Sequence, residues 1–318
     1  MLGLWLQDCR LSLRRDIPRP TPGPGEVLIK VLEAGICSTD HQLVRGMYAF
    51  TGIIGHEFVG CVIEGPEELV GSRVVGEINA SCGECGACRA GMRKHCPRRT
   101  VLGISGRNGA FAEYLTLPQS NVHRVPHGVD TGNALFTEPL AAALEIQEQI
   151  KISVSDRVLV VGDGKLGQLI ALTLSRAGCH LVVLGRHQQK LRHLRLAGID
   201  TLMGGDVPRG EFDIAIECTG NDQGFVIARQ SLRPRGALVL KSTYCGALSV
   251  DVTSLVVDEI RLLGSRCGPF SKALTLLEHG DLDLSYLVSA EYPLRRSLEG
   301  FEHSMNPGVL KVKLLVAE

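Results

Sequence analysis

The chain has 318 residues, which allows about two domains at roughly 150 residues each. Its 34 Lys and Arg match its 34 Asp and Glu, and a formal net charge of zero argues against a nucleic-acid or acidic-surface partner recognised through bulk charge. Apolar residues make up 44%, an ordinary globular share, and no apolar run approaches the roughly 18 residues of a membrane span.

At the N-terminus, "MLGLWLQDCRLSLRR" starts apolar but is interrupted by Asp8 and Arg10. It has neither the hydrophobic core nor the cleavage site of a signal peptide, so the expected location is cytoplasmic. "PRPTPGPGEVLIKVLEAGIC" opens with Pro/Gly turn chemistry and runs into a strand over 27–32. Further β segments are expected at 57–65, 73–78, 109–117 and 121–126. Short strands at this spacing, without long helices between them, predict a barrel-like antiparallel region. Near residue 137 the pattern changes. "TEPLAAALEIQEQI" reads as a helix, strands at 156–161, 180–185, 212–220 and 236–243 are separated by helical segments, and a further strand follows at 260–265. Strands alternating with helices predict an α/β doubly wound parallel sheet. Beyond about residue 268 the pattern is mixed again, and this tail is expected to return to the first domain.

"VLVVGDGKLGQLI" contains Gly162, Gly164 and Gly167 in the spacing G-x-G-x-x-G, after an apolar strand and at the start of a helix. The first glycine permits a tight turn and the second lets backbone approach a pyrophosphate. The third lets helix and strand pack closely, and the helix N-terminus offers N–H groups to phosphate. A strand-end carboxylate usually receives the ribose 2′-hydroxyl of NAD. Here Gly185 holds that position, Arg186 and His187 follow, and no Asp or Glu occurs between Asp163 and Asp200. A guanidinium suits a 2′-phosphate, so NADP(H) is expected over NAD(H).

"AGICSTDHQL" and "GIIGHEFVG" supply Cys37, His56 and Glu57. A thiolate and an imidazole beside a carboxylate suit zinc. "TEPLA" adds Glu138 at the junction of the two patterns, and Glu57 and Glu138 are alternatives for completing the shell.

Taken together, "PGPGEVLIKV", "GICSTD", "GHEFVG", the cluster in "SCGECGACRAGMRKHCP", "GAFAEY", "EPLA", "GDGKLG" and "ECTG" occur in an order that resembles the zinc-dependent medium-chain alcohol dehydrogenase/reductase superfamily. Because Glu138 stands where other members place a cysteine ligand, the chain looks nearest to a sorbitol- and threonine-dehydrogenase-like branch. The resemblance implies a GroES-like β-barrel catalytic domain, residues 1–140 and 268–318, and a Rossmann domain, residues 141–267. It implies a catalytic zinc on Cys37, His56 and either Glu57 or Glu138, a proton-relaying hydroxyl at Thr39, and a carboxylate at Asp40 that orients the histidine. It implies cofactor contacts at Gly162, Gly164, Lys165, Leu166, Gly167, Gly185, Arg186, His187, Cys218 and Thr219. Two departures stand out. The segment between "GHEFVG" and "GSRVVGE" is compressed, and His41 directly follows Asp40 where many members carry a relay histidine one residue later.

The chain has eleven cysteines, an odd number that argues against a disulfide framework. Cys9, Cys37, Cys61, Cys179, Cys218, Cys245 and Cys267 are scattered, whereas Cys82, Cys85, Cys88 and Cys96 follow C-x2-C-x2-C-x7-C in a lobe at 81–97. Four thiolates make the closed tetrahedral shell of a structural zinc, and Gly83, Gly86 and Gly91 let a short loop wrap the ion. Pro97 after Cys96 matches one feature of a ferredoxin cluster motif, but the last gap is too long for it. The resemblance also implies zinc there, making two ions per chain. The expected activity is hydride transfer between a small alcohol, such as a polyol or other secondary alcohol, and NAD(P). The expected assembly is a homodimer or homotetramer, and the alternative is a catalytically silent nucleotide-binding scaffold of the same fold.

Overall fold

Asp8 and Cys9 make the first reversal of the chain. Strands Gly3–Gln7 and Arg10–Arg14 pair antiparallel with Gln7 opposite Arg10. The two turn residues have φ of 48° and 59°, as a two-residue hairpin with matching twist requires. The apolar start of the sequence is therefore a β-hairpin, with Leu4 and Leu6 buried. The computed structural model describes every residue except 205, 206, 245, 281 and 318, so Cys245 lies outside the described residues.

The chain divides into two units, Met1–Glu138 with Phe270–Glu318, and Pro139–Pro269. In the first, a seven-stranded sheet is organised on the long strand Glu26–Gly35. That strand pairs antiparallel with Glu57–Glu64, Tyr114–Pro118 and Lys311–Leu315. Val27, Leu28, Ile29, Val31 and Ala34 are all buried. The last strand, Lys311–Leu315, also pairs with Val288–Pro293 in parallel, the one departure from the antiparallel pattern among the described pairings of this sheet.

The predicted strand over 109–117 is shorter than expected, and only Tyr114–Pro118 is a strand. Residues 109–111 instead bond to the segment before His56, with Gly109 N–H donating to Ile53 C=O at 2.7 Å and Phe111 N–H to Ile54 C=O at 3.0 Å. A side chain at Gly109 would lie 2.3 Å from the Gly55 carbonyl oxygen, so the backbone approaches too closely for any other residue.

The second unit holds six parallel strands in the spatial order Asp200–Met203, His180–Gly185, Arg157–Val161, Phe212–Glu217, Leu232–Leu240, Arg261–Gly264. Chain order reverses between Arg157–Val161 and Phe212–Glu217, the switch point where doubly wound sheets receive nucleotides. Leu159, Val161, Phe212, Ala215, Phe225 and Leu238 form its core. The strand Asp200–Met203 lacks a long apolar run and is not evident from sequence periodicity.

Candidate active site

Asp40 organises the first cluster. It is the third residue of the short helix Ser38–Val44, which Cys37 caps. Its Oδ2 accepts the Cys37 backbone N–H at 2.8 Å, and its Oδ1 stands 3.2 Å from His56 Nδ1. One fully buried carboxylate thus fixes the thiol-bearing residue and stands beside Nδ1 of the imidazole, an arrangement that would leave Nε2 for a metal. Burial pulls the His56 pKa down, but the charge and hydrogen bonding of Asp40, with Cys37, carry it well above the usual value. Donor atoms of Cys37, His56 and Glu57 all lie within 4.8 Å of one another, close enough to share one ion. Thiolate, imidazole and carboxylate form a borderline-soft set that fits zinc. The Thr39 hydroxyl lies 3.9 Å from the Cys37 sulfur.

Glu138 does not join that group among the described residues. It lies in the first turn of the helix Thr137–Gln149 and is half-buried. Glu57 has a second attachment, a direct ion pair with Lys311, both residues being fully buried. Gly35 makes room for the pair, since a Cβ there would lie 2.6 Å from Glu57 Oε2 and 3.2 Å from Lys311 Nζ. Burial pushes the Lys311 ammonium down to about 8, against the opposing charges of Cys37 and Asp40. Sequence reasoning missed Lys311, although lysines at 311 and 313 in the otherwise apolar "KVKLL" are a readable signal. His41 turns toward the helix Ser297–Ser304, with Nε2 2.7 Å from Ser304 Oγ and its ring edge-on to Phe301 at 5.2 Å.

At the lobe, the sulfurs of the pairs Cys82–Cys96, Cys85–Cys88, Cys85–Cys96 and Cys82–Cys88 stand 3.5–3.9 Å apart, and all four lie within 4.8 Å of one another. Four sulfurs about 2.3 Å from one tetrahedral ion would be about 3.8 Å apart. These separations fit one shared ion and exclude disulfide bonds, whose sulfurs are about 2 Å apart. Backbone N–H groups of Glu84 and Cys85, with the neighbouring thiols, lower the Cys82 thiol to about 6. That favours the thiolate a metal needs.

In the second unit, the turn after Arg157–Val161 brings the glycine residues together. Gly162 has φ of +130°, and a Cβ on Gly167 would lie 2.1 Å from the Gly162 carbonyl oxygen. Around Gly164 there is open space, and it caps the helix Lys165–Ser175 without a side chain, as helix N-termini that receive phosphates do. Cys218 lies beneath the turn, its thiol 3.2 Å from the Val161 carbonyl and pushed far up by burial. Thr219 is held by the buried Glu217 carboxylate, which accepts its N–H at 2.5 Å and its hydroxyl at 2.6 Å. Glu217 also accepts the Tyr244 hydroxyl at 2.6 Å.

Gly185 is fully enclosed at the strand end, and Arg186 is exposed. Asp163, from the glycine turn itself, reaches this point. Its carboxylate accepts the N–H groups of Arg186 at 2.8 Å and His187 at 2.7 Å, and lies 3.0 Å from His187 Nδ1. Burial opposes its charge, but these hydrogen bonds and the His187 ring hold its pKa below the usual carboxylate range. An ionised carboxylate only accepts, so Nδ1 carries the proton.

Residues 23–127 match the alcohol dehydrogenase GroES-like domain family. The chain is 32% identical to an L-threonine 3-dehydrogenase of Streptomyces avermitilis, over 92% of this chain and 90% of that one. It is 29% identical to a sorbitol dehydrogenase of Halalkalibacterium halodurans, over 94% of each. Among solved structures it is similar to a protein from Sinorhizobium meliloti described as a zinc-binding dehydrogenase bound to NADP, with a TM-score of 0.91, 26% identity and 99% of each chain covered. It is likewise similar to an alcohol dehydrogenase from E. coli complexed with NADH, with a TM-score of 0.90, 25% identity and 99% of each chain covered. The chain belongs to the zinc-dependent medium-chain alcohol dehydrogenase/reductase superfamily, in its sorbitol- and threonine-dehydrogenase-like branch. Its activity is that of a zinc-type, NAD(P)-dependent alcohol dehydrogenase.

Proposed function

We propose that this dehydrogenase oxidises a polyol or another secondary alcohol reversibly, with catalytic zinc on Cys37 and His56 and a second, structural zinc on Cys82, Cys85, Cys88 and Cys96. The observation that carries the reading is the convergence of Cys37, His56 and Glu57 donor atoms within 4.8 Å, with Asp40 behind them. Relatives named for sorbitol and L-threonine direct the substrate class. When bound, zinc supplies Lewis acidity that lowers the pKa of an alcohol, and the nicotinamide accepts the hydride. The residues do the rest. Asp40 holds the His56 tautomer, and the Thr39 hydroxyl beside Cys37 both accepts and donates, so it passes the substrate proton onward. The near-complete burial of His56 and Glu57 keeps water from the donors. Glu57 is the carboxylate within reach of the other two donors, and Glu138 is its alternative. Metal loss in Glu138→Gln but not in Glu57→Gln would move the third ligand to Glu138.

For the cofactor we assign Gly162, Gly164, Lys165, Leu166 and Gly167 to the pyrophosphate, Cys218 and Thr219 to support of the turn, and Gly185, Arg186 and His187 to the adenine ribose. The exposed Arg186 guanidinium supports NADP(H) over NAD(H). Self-association as a homodimer or homotetramer is supported by the edge strand Arg261–Gly264 and its apolar surroundings. Leu262 is 50% exposed, and Val256 and Val257 are 70% and 73% exposed. No helix among the described residues is long and apolar enough to cross a membrane. Ten free cysteines among the described residues suit a reducing, cytoplasmic location.

The test is elemental analysis combined with a substrate panel of polyols, amino alcohols and simple secondary alcohols, followed by nicotinamide absorbance with both cofactors. Two zinc ions per chain and turnover of a secondary alcohol are expected. One zinc per chain and no turnover would overturn the reading.

A further inference from the structure

The strand-end acid that the sequence lacks at Gly185 is replaced in space by a residue from another loop. A Cβ on Gly185 would lie 2.6 Å from both the Cβ and Oδ2 of Asp163, and 2.8 Å from Leu191 Cδ2. A side chain at 185 and the Asp163 carboxylate therefore exclude each other. Asp163 is only 8% exposed, and it engages two successive backbone N–H groups and the His187 ring. This is the arrangement by which a turn binds an anion, already filled by the chain's own carboxylate. With its oxygens so engaged, Asp163 acts on the loop around it.

The loop carries the charges that matter. The Arg186 backbone is tied to Asp163, while its side chain makes no hydrogen bond or ion pair among the described residues. His187, with Nδ1–H committed to Asp163, keeps Nε2 for another partner, and its side chain is 42% exposed.

We propose that Asp163 is the positioning residue that sets discrimination at the 2′ position of the adenine ribose. By anchoring residues 186 and 187, it presents the Arg186 guanidinium and the outer nitrogen of His187 together to a 2′-phosphate. The inference rests on the NADP(H) reading above and deepens it. It makes selectivity depend on a carboxylate that does not itself meet the phosphate, a residue that would be expected from charge alone to repel it.

The experiment is calorimetric titration of the zinc-loaded enzyme with NADPH and with NADH, using wild type, Arg186→Ala, Asp163→Asn, His187→Asn and the Asp163→Asn/Arg186→Ala double variant. Asn at 163 keeps the size and one acceptor but loses the charge, and thermal melting checks that the variant is folded. Wild type is expected to favour NADPH. Asp163→Asn should weaken NADPH binding about tenfold or more while changing NADH binding far less. In the Arg186→Ala background Asp163→Asn should cost NADPH binding less than it does in wild type, because the part of its effect that runs through Arg186 is already gone and only the part through His187 remains. His187→Asn, which can still donate to Asp163, should retain more selectivity than Asp163→Asn.

Tighter NADPH binding in Asp163→Asn would show the carboxylate repelling the phosphate and would overturn the inference. Equal losses for both cofactors would reduce Asp163 to a packing residue. A wild-type preference for NADPH that disappears in Arg186→Ala but survives in Asp163→Asn would overturn this inference alone. A wild-type preference for NADH with Arg186→Ala neutral would overturn the cofactor reading, and this inference with it.

Discussion

At the lobe, four thiols come from a single segment of fifteen positions, Cys82 to Cys96, and two of the four are half-buried. At the other thiol cluster, Cys37 and His56 come from separate segments, a capped helix and a strand start, and the surrounding groups are buried and charged. Asp40 backs the histidine, and Lys311 holds Glu57. In the proposed two-zinc reading the lobe would satisfy its ion with sulfur alone, a closed shell with no place for a fifth group. The Cys37 cluster mixes ligand types and keeps its carboxylate under a second claim from a lysine. Closed shells stabilise; mixed shells with a negotiable ligand leave a position for chemistry. The comparison can be broken from either side.

The largest effect should follow loss of the Cys37 thiolate. Cys37→Ser should lower alcohol oxidation by about 10³-fold or more, the scale of a lost Lewis acid. Zinc content should fall from two ions to one per chain, with thermal stability nearly unchanged. Retained activity would take Cys37 out of the ligand set.

Next comes the buried pair. Lys311→Met leaves the Glu57 carboxylate without its lysine, and it should cost about 3–5 kcal/mol of stability by chemical denaturation. The double variant Glu57→Met/Lys311→Met should recover most of that loss, because an apolar pair of similar volume avoids both desolvation costs. A double variant as unstable as the single one would mean the pair is not the source of the loss.

The lobe predicts the converse of Cys37. Cys88→Ser should remove zinc from the lobe and cost on the order of 3 kcal/mol, lowering the melting midpoint by roughly 6–12 °C. Turnover per folded molecule should stay near wild type at low temperature. A melting midpoint unchanged from wild type would remove the structural role.

How much of this was legible in the sequence depends on the range of the interaction. The glycine turn, the lobe and the alternating strands were readable because each is written in neighbouring residues with a spacing that physics demands. Groupings that form only through folding were not. Lys311 meets Glu57 because the last strand pairs with Glu26–Gly35, a register no local pattern announces. Asp163 stood inside the glycine motif, yet reading along the strand located no acid near Gly185, since the acid arrives across the sheet from the preceding loop. The shortened strand at Tyr114–Pro118 has the same cause, a close backbone approach between Gly109 and Gly55.

The smallest effect isolates what the buried surroundings add to the Cys37 cluster. Asp40→Asn keeps the shape of the side chain and an oxygen for the Cys37 N–H, but removes the charge behind His56. Ligand basicity should fall and the ring should lose its fixed tautomer, weakening zinc affinity about 10–100-fold, the usual worth of such a partner. Competition with a chelator reads this directly, one ion leaving earlier than in wild type while the lobe ion leaves at the unaltered concentration. The lobe has no carboxylate in that role, so it serves as the internal control. If both ions left together, the two clusters would be coupled through the fold, and the contrast between a self-contained shell and a supported one would fail.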